Sequence, residues 1–189
     1  MKRHTVALML VAGLTASQST QFTFAGGDHC THPWSIVIAR PGESGERMVV
    51  SGTVYGADGS TPAAGVTVYV YHTDARGYYN EGKPSGTPRL RGWMTTDVNG
   101  RYEFRTIKPA AYPGRKDPAH IHVKALGGGY PEQYLDDYVF DDDPLVTDEE
   151  RSKQAGKGTL SAIVKLQEGS DGNLYGKRDL KLKIRAMAN

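Results

Sequence analysis

Hydrophobic residues alternate with polar or aromatic residues over several short stretches of this chain. The clearest stretch is VTVYVYH at Val66–His72, in which every second residue is a valine or the final histidine. β-Branched and aromatic residues with a period of two are typical of a strand that buries one face. The same reasoning predicts further strands at Met48–Val54, Trp93–Thr96, Arg101–Thr106 and Ala119–Ala125.

Glycine- and proline-rich turns separate these stretches, at a spacing typical of a β-sandwich. The Asn99-Gly100 step is a strong hairpin signal, so it predicts that Trp93–Thr96 pairs with Arg101–Thr106. Met48–Val54 and Gly65–His72 are likewise expected to form an opening hairpin. The predicted fold class is therefore all-β, an antiparallel β-sandwich with long loops and at most one or two short helices.

Two further elements are expected towards the C-terminus. One short helix is predicted within Pro144–Gln154, because Thr147 suits the N-cap and acidic residues follow in the first turn. A closing hairpin is predicted between Leu160–Gln167 and Tyr175–Ile184, since a Gly/Asp/Asn turn separates them.

The first residues of the chain are typical of a targeting segment. Lys2 and Arg3 precede nine mostly apolar residues, Val6–Leu14, which are too few to span a bilayer. The expected organisation is a secretory signal peptide at 1–25, an N-terminal extension at 26–45 and the sandwich domain at 46–189. We therefore expect a secreted or periplasmic protein, and no later apolar run predicts a membrane span.

Charge and cysteine content exclude some classes of function. The chain has 23 basic and 21 acidic residues, so removal of Lys2 and Arg3 would leave the two equal. A nearly neutral protein lacks the basic surface of a general nucleic-acid binder. Cys30 is the only cysteine, which excludes an intramolecular disulfide and leaves open a metal trap, an intermolecular disulfide or an unstructured tail.

Candidate chemistry is concentrated in the segment PAHIHV at Pro118–Val123. His120 and His122 are two residues apart on a strand, so their imidazoles project from one face while Ile121 points to the other. Tyr112 lies in a proline-flanked turn just upstream, and Tyr79 lies in an earlier glycine-containing turn. Alternatively, the histidines belong to a partly exposed strand and the tyrosines close the end of the core.

Two phenolates and two imidazoles form an unusual donor set for a metal ion. Structural zinc usually takes thiolates and imidazoles, whereas phenolate is a hard anionic donor that suits a trivalent cation such as Fe(III). Two phenolates and one bound hydroxide would also neutralise a 3+ charge. The four candidate donors are Tyr79, Tyr112, His120 and His122.

Several separated motifs carry a resemblance to a known family. From about Met48 to Ile184 the chain resembles intradiol ring-cleavage dioxygenases, the group that includes protocatechuate and catechol dioxygenases. The motifs, in order, are VTVYVYHTDARGYY, RGWMTTDVNGRYEFRTIKPAAYP, PAHIHV and YVFDDDPL.

The resemblance implies both a cofactor and a reaction. It implies that Tyr79, Tyr112, His120 and His122 bind Fe(III), with Tyr112 and His122 as the axial pair. It also implies that a catechol-type aromatic binds, that Tyr112 is the ligand displaced, and that O2 cleaves the ring to a muconate-type diacid. Many relatives assemble through additional N-terminal helices, for which this chain has little room, so we expect a monomer or a homodimer.

Two positions depart from the family's usual pattern. Asp117 replaces an arginine that usually lies three residues before the first histidine, with Arg115 two residues away, and Asp137 replaces a usual glutamine. A carboxylate in place of a cation reverses the local field, by several kcal/mol if it is partly buried.

These departures leave two alternative functions open. Asp117 and Asp137 could act as acid and base in a non-oxidative reaction, with or without a metal ion. Alternatively, the domain is a secreted binding module without turnover, since a sandwich fold alone does not determine chemistry.

Overall fold

The computed structural model describes residues 32–81 and 86–183, so the predicted signal peptide, Cys30, and residues 184–189 lie outside the described residues. Within these ranges the chain forms twelve strands, one α-helix and one turn of 3-10 helix at Gly158–Leu160. The elements are β1 Ser35–Val37, β2 Arg47–Tyr55, β3 Val66–His72, β4 Leu90–Thr95, β5 Arg101–Ile107, β6 His120–Gly127, β7 Tyr130–Tyr134, β8 Tyr138–Phe140, α1 Asp148–Gln154, β9 Ile163–Val164, β10 Leu166–Glu168, β11 Leu174–Lys177 and β12 Leu180–Lys181.

The strands form two six-stranded sheets. The first sheet has the order β1-β5-β2-β11-β10, with β12 also paired to β2, and the second has the order β4-β3-β6-β8-β9, with β7 paired to β6. The predicted β-sandwich is confirmed, although both sheets are mixed. The pairs β1–β5, β11–β2, β12–β2 and β8–β9 are parallel.

Both hairpins expected in the first half of the chain are wrong. Strand β2 pairs with β5 and not with β3, and β4 pairs with β3 and not with β5. The turn at Asp97–Gly100 closes locally, with a backbone hydrogen bond of 2.9 Å from Gly100 to Asp97. However, the residues around it bond to different sheets, because Thr96 N–H donates to Val66 and Gly100 accepts from Val54.

Burial explains why the chain crosses between the sheets at this turn. Met94 on β4 and Phe104 on β5 are both fully buried. They belong to one hydrophobic cluster that also contains Val50 of the first sheet and Val70 and Ile121 of the second. Placing β4 and β5 in facing sheets lets their apolar side chains pack against each other across the core.

The predicted C-terminal elements are largely confirmed. Helix α1 has Thr147 as its N-cap, and Thr147 and Glu150 form a reciprocal capping box. Strands β10 and β11 form the expected antiparallel hairpin, with Gln167 opposite Tyr175. The adjoining residues do not extend it, because β9 pairs with β8 and β12 pairs with β2. None of the helices in the described ranges is long and apolar enough to cross a membrane.

Two loops that follow β3 and β5 are joined by hydrogen bonds. The hydroxyl of Thr73 donates to the carbonyl of Ala110 at 2.7 Å, and the N–H of Ala110 donates to the carbonyl of Asp74 at 3.1 Å. The Asp74 carboxylate accepts from the backbone N–H groups of Arg76 and Tyr78 at 2.9 and 3.0 Å. This network places the residues that follow, Tyr79 and Tyr112, at the same end of the sandwich.

Gly77 allows the closest approach between these loops. Its φ is +84°, and a Cβ at this position would overlap the carbonyl oxygen of Ala111 and lie 2.8 Å from Cδ of Pro113. A side chain is therefore excluded by the backbone of the second loop, as well as being strained by the positive φ.

A buried histidine lies at the end of β3, opposite Ile121. His72 is 1% exposed; its Nδ1–H donates to the carbonyl of Thr73, and Nε2 accepts from the hydroxyl of Thr106, both at 2.7 Å. Burial lowers the pKa of His72 to about 4, although its hydrogen bond to the Thr73 carbonyl acts in the opposite direction. His72 is therefore a neutral core residue, distinct in role from the exposed-face pair His120 and His122.

We expect Gly77→Ala to destabilise the fold by about 2–4 kcal/mol, because both backbone strain and overlap with the second loop must be relieved. Gly42→Ala is the matched control, since Gly42 has a φ of +90° and a Cβ added there would have nothing within 4 Å. Its cost should be only about 1 kcal/mol. Urea unfolding of both variants measures the difference, and equal losses would show that the loop contact is unimportant.

Acidification should destabilise the protein through His72. The unfolded chain takes up this proton near pH 6.5 and the folded chain only near pH 4, so stability falls as the pH drops through that interval. Between about pH 7 and pH 5 the expected loss is about 2 kcal/mol. Other groups also titrate, so the measurement is the difference in unfolding free energy between the parent protein and His72→Gln. An identical pH dependence in both would contradict the assignment.

Candidate metal centre

The four predicted donors lie together at the outer face of the second sheet. On β6 the buried residues Ile121 and Val123 face the core, while His120 and His122 are partly exposed on the opposite face. Tyr79 and Tyr112 come from the two joined loops. The strand thus supplies both imidazoles and the loops supply both phenols.

The donor atoms of these side chains converge within hydrogen-bonding distance. Nε2 of His122 lies 2.8 Å from the Tyr79 hydroxyl and 3.2 Å from the Tyr112 hydroxyl. Nε2 of His120 lies 3.2 Å from both the Tyr112 hydroxyl and Nε2 of His122. The two hydroxyls also contact each other. All four residues named from the sequence are therefore brought together.

The remaining ring nitrogens determine which atoms face the cluster. Nδ1–H of His120 donates to the carbonyl of Pro118 at 2.7 Å, and Nδ1 of His122 lies 3.0 Å from the Asp137 carboxylate. With the proton on Nδ1, the lone pair of each neutral imidazole is on Nε2. Two such lone pairs at 3.2 Å repel each other unless a proton or a cation lies between them.

Tyr79 shows a similar requirement for positive charge. Burial, followed by the hydrogen bond and charge of Tyr112, raises the pKa of Tyr79 well above its ordinary value. Phenolate formation here therefore requires a strongly Lewis-acidic ion. Two hard phenolate oxygens and two imidazole nitrogens fit a trivalent iron ion, and we find no conflict between these residues and such an ion.

Aromatic packing supports the ring of His122. Tyr71, its cross-strand partner on β3, stacks on the imidazole with the ring centroids 4.5 Å apart. Tyr69 stacks on Tyr71 at 5.5 Å, and Trp93 on Tyr69 at 4.6 Å. The sequence pattern indicates only a strand position for Tyr71. The alternation of β3 places Tyr71 on the same outer face as Tyr69, and this is the signal for it that the sequence contains. Its contact with His122 depends on the β3–β6 register.

Asp137 contacts the centre from the side opposite the tyrosines. Together with His120 and His122 it forms a cluster in which one possible ligand atom of each residue lies within 4.8 Å of the others. However, its carboxylate lies beside Nδ1 of His122, whereas Nε2 faces the phenols. Asp137 is thus placed to orient His122 and not to complete the four-donor set.

Asp117 lies in the loop before β6 and is paired with a cation. Its carboxylate is 3.0 Å from Nε of Arg115, with the two side chains 52% and 67% exposed. The Arg115 guanidinium also lies over the Tyr112 ring, 5.4 Å from its centroid. Solvent therefore screens the carboxylate strongly, and the several-kcal/mol penalty considered from the sequence does not apply at this exposure. Arg115 supplies positive charge beside Tyr112 that sequence reasoning did not assign.

Comparison with known proteins identifies relatives of the whole sandwich. The sequence profile of the Dioxygenase family matches residues 35–178. The chain is 31% identical to catechol 1,2-dioxygenase 1 of Acinetobacter lwoffii over 61% of this chain and 42% of that protein. It is 32% identical to hydroxyquinol 1,2-dioxygenase of a Rhizobium species, over 69% of this chain and 50% of the relative. The chain thus spans about half the length of these curated relatives.

Solved structures share the architecture. The dioxygenase domain of a dioxygenase carbohydrate-binding protein fusion from a Streptomyces species superimposes with a TM-score of 0.60 at 25% identity, covering 84% of this chain and 92% of that one. Catechol 1,2-dioxygenase from an Acinetobacter species gives a TM-score of 0.62 at 20% identity, covering 80% and 58%. At that identity the second similarity concerns the fold alone. The profile match across most of the sandwich shows that this chain belongs to the intradiol ring-cleaving dioxygenase family.

Proposed function

We propose that this protein cleaves a catechol-type aromatic between its two hydroxylated carbons, using O2 and a ferric ion held by Tyr79, Tyr112, His120 and His122. The observation that carries the proposal is the convergence of two phenol oxygens and two Nε2 atoms at 2.8–3.2 Å. Family membership and the names of the relatives support the same reaction class. When bound, Fe(III) would supply the Lewis acidity and the electron-accepting capacity that a catechol needs to become reactive towards O2.

The residues around the ion have separate roles in this proposal. Both hydroxyls contact Nε2 of His122, and the carbonyl of each tyrosine accepts from a backbone N–H, that of Arg89 at 2.9 Å for Tyr79 and that of Arg115 at 3.2 Å for Tyr112, so the two differ in their loops. Tyr112 lies in a loop next to exposed Pro113 and Gly114. Tyr112 would therefore be better placed to move aside, and its phenolate oxygen would then take a proton from the incoming catechol and become a hydroxyl. Arg115, over the Tyr112 ring, would favour the anionic forms of substrate and product.

The contacts of the two aspartates do not favour the non-oxidative alternative. The Asp137 carboxylate lies 3.0 Å from Nδ1 of His122, and the Asp117 carboxylate is paired with Arg115. Neither is a free acid or base that faces the four-donor cluster. A binding module without turnover likewise does not explain why two phenols converge on two imidazoles.

Metal analysis, a visible spectrum and a panel of catechols under air test the proposal. We expect about one iron per chain, a burgundy colour from tyrosinate-to-iron charge transfer, and O2 uptake with formation of a muconate-type diacid. Tyr79→Phe and Tyr112→Phe should each reduce the charge-transfer band. Tyr175→Phe is the control, because this exposed tyrosine is on the first sheet and hydrogen-bonds to Asp171. A colourless, iron-free protein after purification with added iron would refute the proposal.

Asp137 should act as a positioning residue for His122. In Asp137→Ala we expect iron affinity to fall about 10- to 100-fold, because Nδ1 loses its acceptor and the ring its orientation. Asp137→Asn keeps an acceptor oxygen and should recover part of the affinity, whereas Asp136→Asn alters a neighbouring carboxylate and should change little. Competition with a chelator measures affinity, and the charge-transfer maximum reports the ligand environment. Unchanged affinity in the alanine variant would remove this role.

A further inference from the structure

The segment that carries Asp137 is a short connection between β7 and β8. Before it, the N–H of Leu135 donates to the carbonyl of Val123 on β6 at 3.2 Å. After it, Tyr138 begins β8 and pairs with Ile121 on β6. The Asp137 side chain itself is 35% exposed, so packing around the carboxylate does little to fix its direction. Its position therefore depends on the residues on either side of it.

One buried side chain contacts both neighbours of Asp137. Arg178, in the connection between β11 and β12 of the first sheet, is 3% exposed. Its Nη2 donates to the carbonyl of Asp136 at 2.7 Å, and its guanidinium carbon lies 4.3 Å from the centroid of the Tyr138 ring. A single planar group thus holds the residue before Asp137 and the residue after it.

Arg178 is itself held by the first sheet. Its N–H donates to the carbonyl of Ser51 on β2 at 2.9 Å, and its carbonyl accepts from the hydroxyl of Tyr102 at 2.5 Å. The same Tyr102 hydroxyl lies 2.8 Å from that of Tyr138. The guanidinium therefore projects from a fixed backbone position towards the connection between β7 and β8.

Core packing alone does not account for an arginine at this position. Nε and Nη1 of Arg178 are closed to solvent and have no hydrogen-bond partner among the described residues. Burial of unpaired donors on a charged group is costly, and a methionine of similar length would avoid that cost. A methionine could not, however, donate a hydrogen bond to the carbonyl of Asp136. That bond and the contact with the Tyr138 ring are what the guanidinium provides here.

We propose that Arg178 is a positioning residue of the metal centre that acts through Asp137. By holding residues 136 and 138, it keeps the Asp137 carboxylate 3.0 Å from Nδ1 of His122. There the negative charge favours the tautomer with its proton on Nδ1 and its lone pair on Nε2, the atom that faces the phenols. This inference rests on the proposed function, because it extends the role given there to Asp137.

The first measurement uses the full chain without metal, so its outcome does not depend on iron binding. The ring ¹⁵N shifts of His122, assigned with His122→Gln, report which nitrogen carries the proton at a fixed pH of about 8, above the ordinary pKa of histidine. In Arg178→Met we expect the fraction with the proton on Nδ1 to fall, in the same direction as in Asp137→Ala. The buried ring of His72 is the internal reference, and its signals should not change.

A double-mutant cycle separates positioning from a general loss of packing. If Arg178 acts through Asp137, adding Arg178→Met to Asp137→Ala should change neither the His122 tautomer nor the iron affinity any further. Alone, Arg178→Met should lower iron affinity in competition with a chelator, by at most the about 10- to 100-fold expected for Asp137→Ala. Val66→Ala is the control, because it removes buried volume at the end of β3 away from the metal centre, and both readouts should stay unchanged.

Arg178→Lys keeps a charge and a donor but not the planar group that covers the Tyr138 ring, so its tautomer shift should lie between those of the parent and Arg178→Met. Unchanged His122 signals in folded Arg178→Met, or additive effects in the double mutant, would overturn the proposal. If Arg178→Met does not fold, unchanged signals in Arg178→Lys would overturn it instead. A tautomer shift in a chain that binds no iron would refute the proposed function and still support this role of Arg178.

Discussion

The metal centre depends on the register of one strand. In β6 the side chains alternate, so that fully buried Ile121 faces the core and His120 and His122 face outwards. The pairing of β6 with β3 sets His122 opposite Tyr71 and Ile121 opposite His72. A slip of one residue would bury both imidazoles and expose the isoleucine. The hydrophobic core therefore fixes the direction of positions 120 and 122, and with histidine at both it also fixes the two imidazoles.

The oxygen donors have a different origin, since both come from loops. Loops are ordinarily mobile, and here the buried carboxylate of Asp74 holds the first loop in place by hydrogen bonds. Burial alone would raise the pKa of Asp74, but hydrogen bonds from the backbone N–H groups of Tyr78 and Arg76 and from the Arg76 side chain lower it overall. Asp74 is thus a stable anion that organises the turn before Tyr79. The carbonyl of the same residue holds Ala110, two residues before Tyr112.

The sequence predicted which four side chains lie together better than it predicted the path of the chain. Alternation and the spacing of His120 and His122 are local properties, and they predicted the strands, the face and the helix cap at Thr147 correctly. Strand pairing is not local. The Asn99-Gly100 turn forms, as its sequence predicts. Whether the next strand stays in the same sheet or crosses to the other depends on hydrogen-bond partners far away in sequence, such as Val54 and Val66. The stacking of Tyr71 on His122 and the burial of Arg178 could not be predicted for the same reason.

The positions that depart from the family pattern also gain a physical explanation from their surroundings. A carboxylate at position 117 would oppose an anionic substrate only if it were poorly solvated, yet it is about half exposed and paired with Arg115. Pairs of this kind contribute about 1 kcal/mol or less, and solvent screens the guanidinium as well as the carboxylate. A cation is nevertheless present two residues before position 117, because the Arg115 guanidinium lies over the Tyr112 ring. At position 137 the carboxylate lies 3.0 Å from Nδ1 of His122, where its charge favours a proton on Nδ1 and makes Nε2 a stronger donor. An ion bound at these four donors, as proposed, would therefore receive more electron density through His122 than it would with a neutral amide at position 137.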